Sequence, residues 1–457
     1  MRTSTVAKLS SFAMSMTAIS AQTGWHQVDV NLNMGLLRSP AMVSDTVRQR
    51  VVLFGGYRQL QMFDGTWEWD GSNWTQRFSV LSPSPRFLSA MAFDRVRQRV
   101  VLFGGEGVGG LLADTWEWSG STWMLRSTPV HPSARGRHVM AFDELRQRVV
   151  LFGGGDYPTV FHDDTWEWDG FAWTQCMPTV RPMPRHWPAF AYDAVRQNVV
   201  LFGGGTANGQ ASDTWTWNGA VWSLLAPPVS PPGRGASSMA FDPRRRVAIL
   251  HGGYTTGLGG YANDTWEWDA ASWSQVGTGP NRGEHILAFD SVSNRVLFCG
   301  GSDGYSQFAD TWSYVPPAAY IPFGAGCLGP TATTPVLAGV PGESPRLGTT
   351  SHVRVANLPP TVTVPVFVFG DSNTWNPGPP AYPLPLDLAV LGWPGCQQLV
   401  SNEFTYFAIT TTGQADHPIA VPMNTNLVGH TFHGQVLVLY SGGGVAVSNG
   451  VTAVVGW

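Results

Sequence analysis

The feature that most constrains this chain is a displaced tryptophan. Six times the sequence runs through an apolar strand ending in Gly-Gly and then a Thr-Trp pair. In the first five copies a second and a third Trp follow, but the sixth stops early. After Thr311, Trp312 and Tyr314 it passes into Val315-Pro316-Pro317. The missing piece stands ahead of the first copy, as Trp25-His26-Gln27-Val28. A chain whose last unit is completed by its first strand is most simply a closed ring.

The Gly-Gly pairs begin at Gly55, Gly104, Gly153, Gly203, Gly252 and Gly300. A period of 48 to 50 residues lies in the range of propeller blades. Each unit divides into four strand-like pieces. The first is Ala90-Met91-Ala92-Phe93 and its equivalents, followed by a polar turn opened by an Asp such as Asp94. Such an Asp can bond its own backbone two residues on. The second, Val100-Val101-Leu102-Phe103, does not alternate, so both of its faces should be buried. The third, Thr115-Trp116-Glu117-Trp118, alternates and should have unlike faces. Hairpin dipeptides such as Asp70-Gly71 and Asn218-Gly219 lead to the fourth, which carries the third Trp. Seventeen of the 21 tryptophans fall on this grid, which marks them as packing between units rather than a ligand-binding stripe.

This pattern resembles the Kelch repeat: Pro-x-x-Arg or Pro-Arg, an apolar strand, a strand ending in Gly-Gly, an aromatic strand and a spaced Trp. The resemblance covers about residues 24 to 315. It implies an all-β fold, a six-bladed Kelch-type β-propeller closed by an N-terminal strand. Galactose-oxidase-like enzymes share that architecture.

Antiparallel strands send the links from strand one to two and from three to four to one face, and the remaining links to the other. The first set is short and uniform. The second varies, and a variable rim on a rigid scaffold is where function usually sits. Just after the four-to-one links comes an arginine series, Arg38, Arg86, Arg135, Arg185, Arg234 and Arg282. In some Kelch proteins arginines at comparable sites bind acidic peptides, and guanidinium groups suit carboxylate or phosphate. Recurrence in every copy favours a structural role instead. Residues that break the repeat are the better candidates: Asp156, Tyr157, His162, His186, Tyr254, Tyr261, Glu284, His285, Asp303 and Tyr305. His138 and His285 share one slot, which resembles the His of the Kelch consensus and is expected to be structural.

Cys176, Tyr157, His186 and His285 supply the residue types of a copper-radical oxidase, but no spacing motif joins them. No cofactor and no metal are expected, and no catalytic residue is selected. The Gly-Gly-Gly stretches follow strands without opening helices, so they are not nucleotide fingerprints.

Arg2, Lys8, the apolar run Leu9 to Ile19 and the small residues to Ala21 read as an export signal over residues 1–21. No other segment is apolar enough to span a bilayer. Net charge is −4 and the pI is near 6.2, which speaks against nucleic acid as a partner. Lys8 is the only lysine, so a processed chain excludes Schiff-base chemistry.

Residues 22–315 form the repeat domain, 316–320 a linker, and 321–457 a C-terminal β-sandwich. Its strand-like runs are Val353–Ala356, Val364–Phe369, Leu384–Leu391, Phe404–Thr410, Gln435–Tyr440 and Val451–Trp457. It resembles the terminal β-modules of exported bacterial proteins. Cys327 and Cys396 lie in similar contexts there and could form a disulfide.

Together these observations favour a secreted, periplasmic or cell-surface recognition protein, not an enzyme, that binds a glycan or protein through its variable face. The alternative is a carbohydrate-acting enzyme using rim His, Tyr or acidic residues.

Overall fold

A computed structural model describes residues 24–29, 37–255 and 259–315, and then the strands between 319 and 454. The expected export signal and the Cys327–Cys396 pair lie outside the described residues. Everything described is β-strand, turn or irregular chain, with no helix. Among these residues, therefore, no helix is long and apolar enough to cross a membrane.

The repeats fold into six four-stranded antiparallel sheets, built as propeller-like blades. In the second sheet the strands Ala90–Asp94, Arg99–Phe103, Thr115–Trp118 and Trp123–Arg126 lie side by side in sequence order. The non-alternating second strand is buried on both faces; Val100, Val101, Leu102 and Phe103 are all 0% exposed. The first strands meet their neighbours in turn, Ala41–Asp45 touching both Ala90–Asp94 and Ile286–Asp290. The first strands of the sheets therefore stand next to one another. Gly-Gly ends each second strand because the turn there needs left-handed backbone. Gly104 and Gly105 have φ of +60° and +98°, and a Cβ on Gly104 would stand 2.8 Å from the Arg135 carbonyl.

The sixth sheet takes its fourth strand from the beginning of the chain. Gly24–Asp29 pairs antiparallel with Thr311–Val315, Trp25 opposite Tyr314. The Thr-Trp grid explains why this strand carries Trp. The fourth-strand Trp of each sheet donates its indole N–H to the third-strand Thr of the preceding sheet. Trp123 reaches Thr66 at 2.8 Å, Trp173 reaches Thr115 at 2.9 Å, Trp222 reaches Thr165 at 2.9 Å and Trp273 reaches Thr214 at 3.0 Å. Trp25 reaches Thr265 at 2.9 Å and Trp74 reaches Thr311 at 2.8 Å, which completes a cycle of six bonds. The third-strand Glu is used the same way: Trp118 donates to Glu68, Trp168 to Glu117, Trp217 to Glu167 and Tyr314 to Glu267. Thr115→Val keeps the β-branched shape but strands the buried Trp173 N–H. It should cost about 1–3 kcal/mol in denaturant unfolding, because an orphaned buried donor loses its full solvation.

The C-terminal strands also pair antiparallel. One sheet holds Ala319–Phe323, Gly450–Val454, Thr431–Tyr440, Thr363–Gly370 and Phe404–Phe407 in that order. A second holds Val336–Gly339, Thr350–Ala356 and Ala415–Ala420. Of the expected Leu384–Leu391 run, Leu386–Asp387 is strand, and the rest of the run lies outside the described residues.

Candidate functional site

In every sheet the variable two-to-three loop pairs with the chain entering strand one. Glu106–Gly107 pairs with Arg86–Phe87, and bridges join Gly136 to Gly155, His186 to Gly205, Gly235 to Tyr254 and Gly283 to Ser302. Both sets of links therefore lie on one face.

Five arginines of the series act as fasteners in this pairing. Arg86 is 0% exposed. It grips Asp114 with two bonds of 2.6 and 2.8 Å, reaches the Gly104 carbonyl at 3.1 Å and bonds the carbonyl and hydroxyl of Ser84. Arg135, Arg185, Arg234 and Arg282 hold Asp164, Asp213, Asp264 and Asp310 in the same two-bond grip. Each of these carboxylates also takes the first Trp N–H of its own third strand, as Asp114 does from Trp116 at 2.7 Å. Burial pushes the Asp114, Asp164, Asp213 and Asp264 carboxyls up. The arginine bond and charge outweigh it and hold them below the usual value.

Arg38 is out of register with the other five. They stand four residues before their first strands, whereas Arg38 stands three before Ala41, and Leu37 takes the fastener position. Leu37 makes that position's backbone bonds, to Phe308 and Gly301. Arg38 instead lies 5.1 Å above the Tyr57 ring and 3.4 Å from the Glu284 carboxylate, with its side chain 34% exposed.

Two residues past each fastener the chain turns left-handed at a residue other than Gly. Ser39, Leu88, Arg137, Trp187, Ala236 and Glu284 have φ between 50° and 62°. Backbone of this kind costs energy in non-Gly residues and persists where the surroundings fix it. Here each N–H bonds the carbonyl of the equivalent residue in the preceding sheet. Leu88 bonds Ser39, Arg137 bonds Leu88, Trp187 bonds Arg137, Ala236 bonds Trp187, Glu284 bonds Ala236 and Ser39 bonds Glu284, at 2.8 to 3.1 Å. This ring of six bonds frames one mouth of a cavity of about 340 Å³ lined by the first strands. Below it, first-strand residues such as Ala41, Ala90, Val139 and Ala189 make apolar walls.

The side chains of this ring differ from sheet to sheet. The Glu284 carboxylate accepts the Ser39 hydroxyl at 2.8 Å. Arg137 packs face-on, its guanidinium carbon 5.0 Å from the Trp187 ring and 5.4 Å from the Tyr157 ring. Its side chain is 14% exposed, and the nearest Glu106 oxygen is 3.9 Å away. Burial pushes its pKa down, against the pull of Glu106, Glu284 and Asp156.

Tyr157, 53% exposed, and Tyr254, 39% exposed, stand on this rim. His186 is buried beneath it, 5.1 Å from Tyr157, 4.8 Å from Phe161 and 5.4 Å from Trp187. Tyr305 is fully exposed. His285 is 5% exposed, stacked at 4.2 Å on Phe298, and belongs to the lining of the cavity rather than to the exposed rim. Of the residue types of a copper-radical site, Tyr157 and His186 meet, and among the described residues no three His, Cys, Asp or Glu gather as a metal site. Arg137 and Trp187 were not among the sequence candidates. One signal was available: Trp187 is the single tryptophan of the repeat region that falls off the grid. No protein-family model matches the chain, and no curated protein is similar enough to it to count as a relative.

Proposed function

We propose that the chain is an exported, Kelch-type six-bladed propeller, closed by Gly24–Asp29, that recognises a glycan at the mouth framed by its left-handed ring. The Trp–Thr cycle and the ring of backbone bonds support closure. The observation that carries the binding reading is the grouping of aromatic faces and charged side chains around that mouth. Tyr57, Tyr157 and Trp187 flank Arg38 and Arg137 there, above an apolar cavity. Concave sites with apolar walls and a few placed polar groups are where small ligands settle. Rings with one exposed face suit the C–H face of a sugar.

A glycan array on purified protein tests this reading. Tyr157→Ala should weaken the bound glycan roughly five- to tenfold, the loss of one aromatic contact. Binding that survives both Tyr157→Ala and Tyr254→Ala unchanged places the ligand elsewhere.

A further inference from the structure

Of the arginines on this face, Arg137 alone is both largely buried and left without a hydrogen-bonded acceptor. Its Nε is inaccessible and has none among the described residues. Its Nη2 stands 3.9 Å from Glu106, too far for a hydrogen bond. The five fasteners spend their donors on carboxylates and carbonyls. A guanidinium held in place by two rings, with the edge formed by its two Nη groups unspent, is prepared for a planar two-oxygen acceptor there.

We propose that Arg137 is the subsite for the carboxylate of an acidic sugar, a hexuronate unit of a polysaccharide, with Trp187 and Tyr157 as its walls. The proposal rests on the glycan reading and narrows it. Acidic neighbours do not close the site. Glu284 is already bonded by Ser39 and lies beside Arg38. Glu106 is one-third exposed and Asp156 is exposed, so both can turn to water. An incoming carboxylate gives the buried cation the close counter-charge that Glu106, at its distance, does not. The aromatic walls favour a pyranose over a bare anion, because they offer flat apolar area beside the donor.

The test titrates the full chain calorimetrically with oligogalacturonate and oligoglucuronate, each as free acid and as methyl ester. The ester keeps the sugar and removes the charge. The expected result is at least tenfold tighter binding of one free acid than of its ester, a gap that narrows as salt is raised. In Arg137→Gln, checked for folding by its melt, the gap should vanish. Equal binding of acid and ester overturns the proposal and leaves the glycan reading standing. So does a neutral glycan that binds where neither acid does. An acid preference that persists in Arg137→Gln also overturns it. Failure of every acid, ester and neutral glycan removes the glycan reading itself. If Arg137→Gln does not fold, the comparison of acid with ester on the unaltered chain still decides.

Discussion

Trp25→Ala should cost about 3–5 kcal/mol in denaturant unfolding, as expected for removing a large buried aromatic. Deleting Gly24–Asp29 should cost more. Trp25 is 8% exposed and packs against His251 at 5.1 Å, Tyr314 at 5.2 Å and Phe298 at 5.6 Å. Its indole N–H is bonded to Thr265 of the fifth sheet, while its backbone pairs with the sixth. One residue therefore joins two sheets at the seam. Without the strand, Thr311–Val315 becomes an exposed edge with unpaired backbone groups, which invites association with other chains. Trp25→Phe separates the contributions: it keeps most of the packing, loses the Thr265 bond and should cost about 1–2 kcal/mol. Equal stability of the deleted and intact chains, by denaturant midpoint and by melt, would remove the seam.

The seam was legible in the sequence because it rests on a repeated, period-two pattern. A third-strand Thr and a fourth-strand Trp occur in each unit, so a Trp out of place had only one destination. The second strands were equally legible, since an unbroken apolar run has few alternatives to burial on both faces. The arginines were legible as a series with a structural role, but not in their carboxylate partners. Their partner Asp lies 28 to 30 residues on, and only the fold brings the two together. Arg38 shows the weakness of matching residue type before counting. It lies one residue nearer its first strand than its counterparts, and that shift moves it from the fastener position to the rim. The ring residues were the least legible. What they share is a backbone conformation, not a side chain, so Ser39, Leu88 and Arg137 look unrelated until their φ angles are compared.

Acid should unfold this protein well before its carboxylates titrate. Burial lowers the pKa of five histidines: His251 and His186 are pushed down to about 4, His138 to about 3, His285 well below the ordinary value of 6.5, and His162 below it as well. The neighbouring arginines Arg135, Arg137 and Arg282 add to the burial at His138, His186 and His285. At His251 the geometry fixes the neutral ring. The Pro280 carbonyl, 3.0 Å from Nε2, can only accept, so Nε2 carries the proton. Nδ1, 2.9 Å from Thr265 Oγ1, then accepts the hydroxyl that itself accepts from Trp25. A histidine whose folded pKa is depressed is neutral in both states above pH 6.5 and costs nothing there. Below that value the unfolded chain takes up protons that the folded chain refuses, so stability falls with falling pH until the folded value is reached. Each histidine contributes up to about 1.4 kcal/mol per pH unit across that window. The lowered carboxyls of Asp114, Asp164, Asp213 and Asp264 add their loss only below their unfolded value of 3.8. Urea midpoints at pH 8, 6.5, 5.5 and 4.5 should therefore be flat between the first two and fall steeply after. His251→Phe should flatten the slope by one proton, since Phe54, Phe103, Phe152 and Phe202 hold the same position in other sheets. A midpoint unchanged from pH 8 to pH 4.5 would mean that these rings are protonated in the folded state, and that the His251 relay to Trp25 does not hold the seam.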